Sequence, residues 1–121
     1  MKDNKGALQA INRIRESWND NWLFTDVLKE ELGSWEGKAW YRLHHYIQAE
    51  KAFKSVLRLR DKLPEVKRRP LQVMSSYYVG KINYEKGQME QARKWLEKAA
   101  ATSLEESPYY EAAQRLLDRL K

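Results

Sequence analysis

The sequence predicts an all-α chain, and three observations carry that expectation. Apolar residues recur at three- and four-residue spacings along most of the 121 positions. No run alternates with period two long enough to make a half-buried strand. Five glycines and three prolines leave long stretches without a helix breaker. The length suits one domain with one core, and the balance of 42% hydrophobic and 33% charged residues is that of a folded chain rather than a disordered tail.

Taken in order, Leu8, Ile11, Arg15 or Ile14, Trp18 and Trp22 predict a first helix over about residues 5–19, ending at the turn-prone "NDN" of 19–21. Phe24, Val27, Leu28 and Leu32 predict a short second helix that stops at Gly33, with Ser34 capping the next helix. From Lys38 to Leu63 the sequence contains no breaker, so Trp40, Leu43, Ile47, Phe53, Val56, Leu57 and Leu59 predict one long third helix ending before Pro64. The stretch "LPEVKRRPLQ" at 63–72 reads as a linker, with Pro70 in the first turn of a fourth helix that runs to about Lys86. Gly87 breaks the chain, a fifth helix follows over about 88–101, and "SLEESP" leads to a sixth. Ser107 is its expected cap and Pro108 its first-turn residue, where a missing amide hydrogen costs nothing.

The small residues of "YYVGKINYEKGQMEQARKWLEKAAA" at 77–101 explain how helices four and five can pair. Helices joined by a short turn approach closely only where side chains are small, so Gly80 is expected against Ala92, with Val79, Ile82 and Leu96 filling the space around them. Ala99 and Ala100 leave room for the next helix to dock. On these residues, Val73 to Glu106 resembles the tetratricopeptide repeat, a helical hairpin of about 34 residues. Val79 with Gly80, the turn "EKGQ" at 85–88, Ala92, Leu96 and Ala99 stand where that family keeps small and apolar residues. Ser76, Asn83 and Leu104 depart from its tryptophan, tyrosine and proline. "WYRLHHY" at 40–46 and "AEKAFKSVLRLRDKLP" at 49–64 are similar to the two helices of an earlier, degenerate repeat whose turn is missing, which is why one fused helix is expected there. The resemblance implies a short right-handed array of about six helices: flanking helices over 1–36, a degenerate repeat at 37–64, a hairpin at 70–106 and a capping helix at 107–121.

What the resemblance implies about function is a ligand groove lined by the first helix of each hairpin. By register that groove would hold Met74, Tyr77, Lys81, Tyr84 and Glu85, flanked by Tyr41 and His45 on one side and by Glu111 and Arg115 on the other. Lys81 is the lone cation of helix four in this set, which argues against a clamp for a terminal carboxylate and for a mixed peptide or helix ligand.

Charge offers a second candidate. The formal net charge is +6, and five of those six units arise in residues 50–69. There Lys51, Lys54, Arg58, Arg60, Lys62, Lys67, Arg68 and Arg69 face only Glu50, Asp61 and Glu65. Lys51, Lys54, Arg58 and Lys62, at spacings of three and four, would form a stripe on the long helix. A solvated face is the plain reading; an acidic protein, nucleic acid or anionic surface would also respond to it. Trp18, Trp22, Trp35 and Trp40 crowd the first third of the chain and read first as core, with an exposed docking patch as the alternative. Trp95 is the aromatic expected to be partly exposed.

Catalysis has little to stand on. Cysteine is absent, the glycines form no phosphate loop, and adjacent His44 and His45 point about 100° apart, unable to chelate one ion together. No cofactor or metal is expected. Neither a signal-like segment nor a membrane-spanning apolar run appears, which makes a cytoplasmic location the default. The expectation is a non-catalytic protein-interaction module for a peptide or helix, with self-association as a variant and nucleic-acid or anionic-surface binding through 51–69 as the alternative.

Overall fold

The structure is a computed structural model in which residues 4–18, 26–101 and 107–120 are described; among them are six α-helices and no strand. The chain divides into two compact units, one ending at Leu59 and one beginning at Arg60. The first holds α1 (Asn4–Trp18), α2 (Asp26–Arg42) and α3 (Tyr46–Leu57). The second holds a single 3-10 turn (Arg60–Lys62), α4 (Glu65–Glu85), α5 (Met89–Ala101) and α6 (Pro108–Arg119). The predicted turn at 19–21, Trp22, Phe24 and the connection containing Leu104 lie outside the described residues, as do the side chains of Trp18, Val27 and Leu28.

In the first unit the helix boundaries differ from expectation in two ways. Gly33 does not end a helix, because α2 runs through it and through Gly37. Both glycines instead let α3 come close. A side chain at Gly33 would collide with Val56 Cγ2, and a Cβ at Gly37 would lie 2.8 Å from Phe53 Cε2 and Cζ. Ser34 accordingly caps nothing; its hydroxyl donates to the Glu30 carbonyl one turn back, at 2.9 Å. The expected long third helix is also interrupted, at 43–45, where His44 takes a left-handed φ of 63°. Ala49, Ala52, Phe53 and Val56 then form the buried face of α3. Leu32 and Ala39 of α2, with Leu8 and Ile11 of α1, supply further core on this side of the chain.

In the second unit α4 begins earlier than expected. Pro64 occupies its N-cap position and Glu65 opens it, so of the predicted linker at 63–72 only Leu63 and Pro64 precede the helix, and Pro70 lies inside it. The break in the ladder falls on the first turn, where Val66, the residue whose carbonyl Pro70 cannot engage, is 80% exposed. Arg68 fixes this junction by donating from Nε to the Leu63 carbonyl (3.0 Å) and from Nη2 to that of Asp61 (3.3 Å).

The α4–α5 hairpin closes as its small residues predict. A Cβ at Gly80 would meet Leu96 Cγ at 2.7 Å and the Ala92 carbonyl at 3.2 Å. Ala92, Leu96 and Ala99 then join Ala113 and Leu116 of α6 in one buried cluster. Ser107 caps α6 by accepting from the Tyr109 amide at 3.2 Å, with Pro108 in the first turn as expected. At the far end of α6, Arg93 reaches from α5 to donate to the Leu120 carbonyl at 2.9 Å.

The two hairpins share one register. Gly37, His44, Ala49 and Phe53 correspond to Gly80, Gly87, Ala92 and Leu96, each pair 43 positions apart (37 to 80, 53 to 96). Their turns match bond for bond. The amides of His45 and Gln88 donate to the carbonyls of Trp40 (3.0 Å) and Asn83 (2.9 Å), and those of His44 and Gly87 to Tyr41 (3.0 Å) and Tyr84 (3.1 Å). This double bond pattern around a left-handed residue is the Schellman ending of a helix.

Candidate functional site

The α4 residues assigned to a groove share one helix face, but much of that face is turned toward α6. Met74 is buried, and Tyr77, Lys81 and Tyr84 are half-buried, leaving Glu85 exposed. Tyr77 and Tyr84 pack against the α5–α6 cluster. The Tyr77 ring lies 5.7 Å from that of Tyr109 and 5.4 Å from that of Tyr78, with Lys81 Nζ 5.8 Å from its centroid. Exposed Arg115 pairs with Glu111 at 2.7 Å within α6. The tyrosines are therefore partly spent on packing. Tyr41 and His45 belong to the other unit, where Tyr41 lies 5.7 Å from Tyr46 and His45 lies 5.2 Å from Trp40, ring to ring.

The basic stretch is dispersed by the same helix boundaries. α3 ends at Leu57, so the expected stripe keeps Lys51, Lys54 and Arg58, while Lys62 belongs to the 3-10 turn of the second unit. Lys54 is paired with Glu50 at 2.7 Å, and Arg68 is engaged at the α4 junction. Lys67, Arg68 and Arg69 are successive helical residues, which point about 100° apart and so do not converge. His44 shares a 2.9 Å hydrogen bond between Nδ1 and the Tyr46 hydroxyl. Among the described residues no three His, Asp or Glu side chains gather where a metal could sit.

A site that sequence spacing alone does not assemble lies between α1 and α2. Its floor is buried Ile11 and Ala39, its α1 wall is Ala7, Ala10 and Ile14, and it encloses about 590 Å³. Trp35 stands at its lip with 57% of its surface exposed, against the expectation of the tryptophans as core. Lys38 and Arg42 continue the same face of α2 at spacings of three and four. Apart from Asn4, these are the residues that form the trough, and none of them is acidic. A second groove, on α2 and α3, mixes Lys29 and Lys51 with Glu36 and offers no such separation of apolar and basic surface. Trp95, half-buried as expected, has Lys98 Nζ 4.3 Å from its ring centroid.

The signal for the trough is present as spacing. Ala7, Ile11 and Ile14 form one helical stripe, and Trp35, Lys38 and Arg42 form another; what the sequence lacks is the pairing of α1 with α2. No helix among the described residues is long and apolar enough to cross a membrane. The chain matches no protein-family model, no curated protein and no solved structure.

Proposed function

We propose that this chain is a non-catalytic protein-interaction module of tetratricopeptide-like hairpins, taking a partner's peptide or helix in the α1–α2 trough. The observation that carries the reading is Trp35, more than half exposed beside a floor of buried Ile11 and Ala39. Water around a large indole next to an apolar channel is surface whose burial by a partner stabilises a complex, and tryptophan is enriched where such binding energy concentrates. The repeat-like part of the proposal rests on the shared register of the two hairpins, each bringing a glycine of its first helix against a bulky apolar residue of its second.

The test is selection of binding peptides from a random display library, followed by affinity measurement against variants. Trp35→Ala is expected to weaken the selected peptides at least about tenfold, and the pair Tyr77→Ala and Lys81→Ala to change them little. Peptides indifferent to Trp35 but lost with Tyr77 and Lys81 would return the site to α4. The alternative function, nucleic-acid or anionic-surface binding through 51–69, draws on the exposure of Lys51, Arg58, Lys62 and Arg69. Its mark is salt: affinity would fall by orders of magnitude between low and moderate ionic strength, and changing Lys51, Arg58, Lys62 and Arg69 to Ser would abolish it.

A further inference from the structure

We infer that the occupant of the α1–α2 trough is an acidic amphipathic α-helix; this rests on the interaction-module reading and specifies its partner. Shape is the first argument. Ala7 and Ile14 on α1, like Trp35 and Arg42 on α2, are seven positions apart, or about 10 Å of helix axis. That length receives about two helical turns of an occupant, the span over which residues at i, i+3, i+4 and i+7 present one apolar stripe. Ala7 and Ala10 on one wall and Ala39 in the floor keep the channel free of bulk, so that another helix can approach closely. An extended peptide would instead need a line of unpaired backbone donors and acceptors, and α1 and α2 satisfy theirs internally.

Charge is the second argument. Lys38 and Arg42 are the charged residues of the trough, both positive, both on the α2 side, one turn apart. A helix seated on Ile11 and Ala39 with its apolar stripe inward carries its flanking residues past them, and carboxylates there complement the two cations while ammonium groups meet repulsion. Nucleobases are poorly served by the same surface, because Trp35 stands among alanine and isoleucine rather than in a series of stacking rings.

The test uses four labelled peptides of about 18 residues, long enough to populate helix in isolation. All share one leucine stripe: one is flanked by glutamates, one by lysines and one by glutamines, and the fourth is the glutamate peptide with a central proline. Binding is followed by fluorescence anisotropy and by the Trp35 indole N–H resonance. The glutamate peptide is expected to bind about tenfold tighter than the lysine peptide at low salt and to move the Trp35 resonance. In the double variant Lys38→Glu, Arg42→Glu, with an unchanged circular dichroism spectrum and melting midpoint, the preference is expected to reverse. Trp35→Ala, at an exposed position, is a second folded variant in which all four peptides should weaken.

Equal binding of the glutamate and lysine peptides at Trp35, or preference for the lysine peptide, overturns the acidic partner and leaves the interaction module standing. Equal binding of the proline-interrupted peptide overturns the helical form. If no peptide moves the Trp35 resonance, inference and module reading fall together. A resonance that moves with protein concentration alone makes a second copy the occupant, and one that moves more with a single-stranded oligonucleotide makes it nucleic acid; either result overturns the inference.

Discussion

The α2–α3 and α4–α5 hairpins reach the same turn by different residues. At the left-handed position the second uses Gly87, φ 79°, with nothing within 4 Å of where a Cβ would stand. The first uses His44, φ 63°, which any L side chain adopts at a cost of about 1–2 kcal/mol. Histidine is among the residues that tolerate this region better than most, and the Tyr46 hydroxyl offsets part of the cost through its hydrogen bond to Nδ1. The difference teaches that the hairpin is specified by its close contacts, Gly37 on Phe53 and Gly80 on Leu96, more than by its turn residue. Contact residues should then matter most and turn residues least.

The largest effect is expected from emptying the contacts. Phe53→Ala should cost about 3–5 kcal/mol and Leu96→Ala about 2–5 kcal/mol in denaturant unfolding, since both side chains are fully buried. Amide exchange should show the first loss in α2 and α3 and the second in α4 to α6. Next come Gly37→Ala and Gly80→Ala. An added methyl gains about 1 kcal/mol of helix propensity but must displace a buried ring or the branch carbon of a buried leucine, so net destabilisation of about 1–2 kcal/mol is expected. A neutral result at either glycine would sink the claim that close approach defines the hairpin.

Gly87→Ala should cost about 1 kcal/mol through backbone strain alone, because the site is open. The reciprocal change, His44→Gly, should leave the melting midpoint unchanged or raise it slightly: relief of strain offsets loss of the Tyr46 hydrogen bond, worth about 1 kcal/mol. A clear drop would show that the aromatic cluster around this turn contributes more than its hydrogen bond. A comparably small effect is expected from Ser75→Ala. The Ser75 hydroxyl is fully buried without a hydrogen-bond partner, so its removal should be neutral or stabilise by up to about 1 kcal/mol.

This comparison also explains what could be read from the residues alone. The second hairpin is legible because its turn carries a glycine, its crossing carries Gly80 and Ala92, and Ser107–Pro108 announces α6. The first is obscured because His44 adopts a glycine-like conformation while Gly33 and Gly37, which look like stops, serve as contact points inside α2. Glycine has two physical uses, positive φ and absence of bulk, and periodicity alone does not separate them. Pro70 misleads similarly, since a proline inside an exposed helical turn looks like a helix start. For the candidate site, one-face spacing on α4 is right, but the attraction of Tyr77 and Tyr84 to the α6 cluster depends on a long-range neighbour. The α1–α2 trough depends on such a neighbour too, and only exposure singles out Trp35 among the tryptophans whose side chains are described.

The guanidinium of Arg93 holding the Leu120 carbonyl ties the trailing end of α6 to the middle of α5. A helix terminus ordinarily unwinds residue by residue, independently of what lies beneath it. Here the last carbonyl is held from outside the helix by a bond worth about 1 kcal/mol, so the tip of α6 should fray less than a free end, and Arg93→Ala should speed amide exchange there.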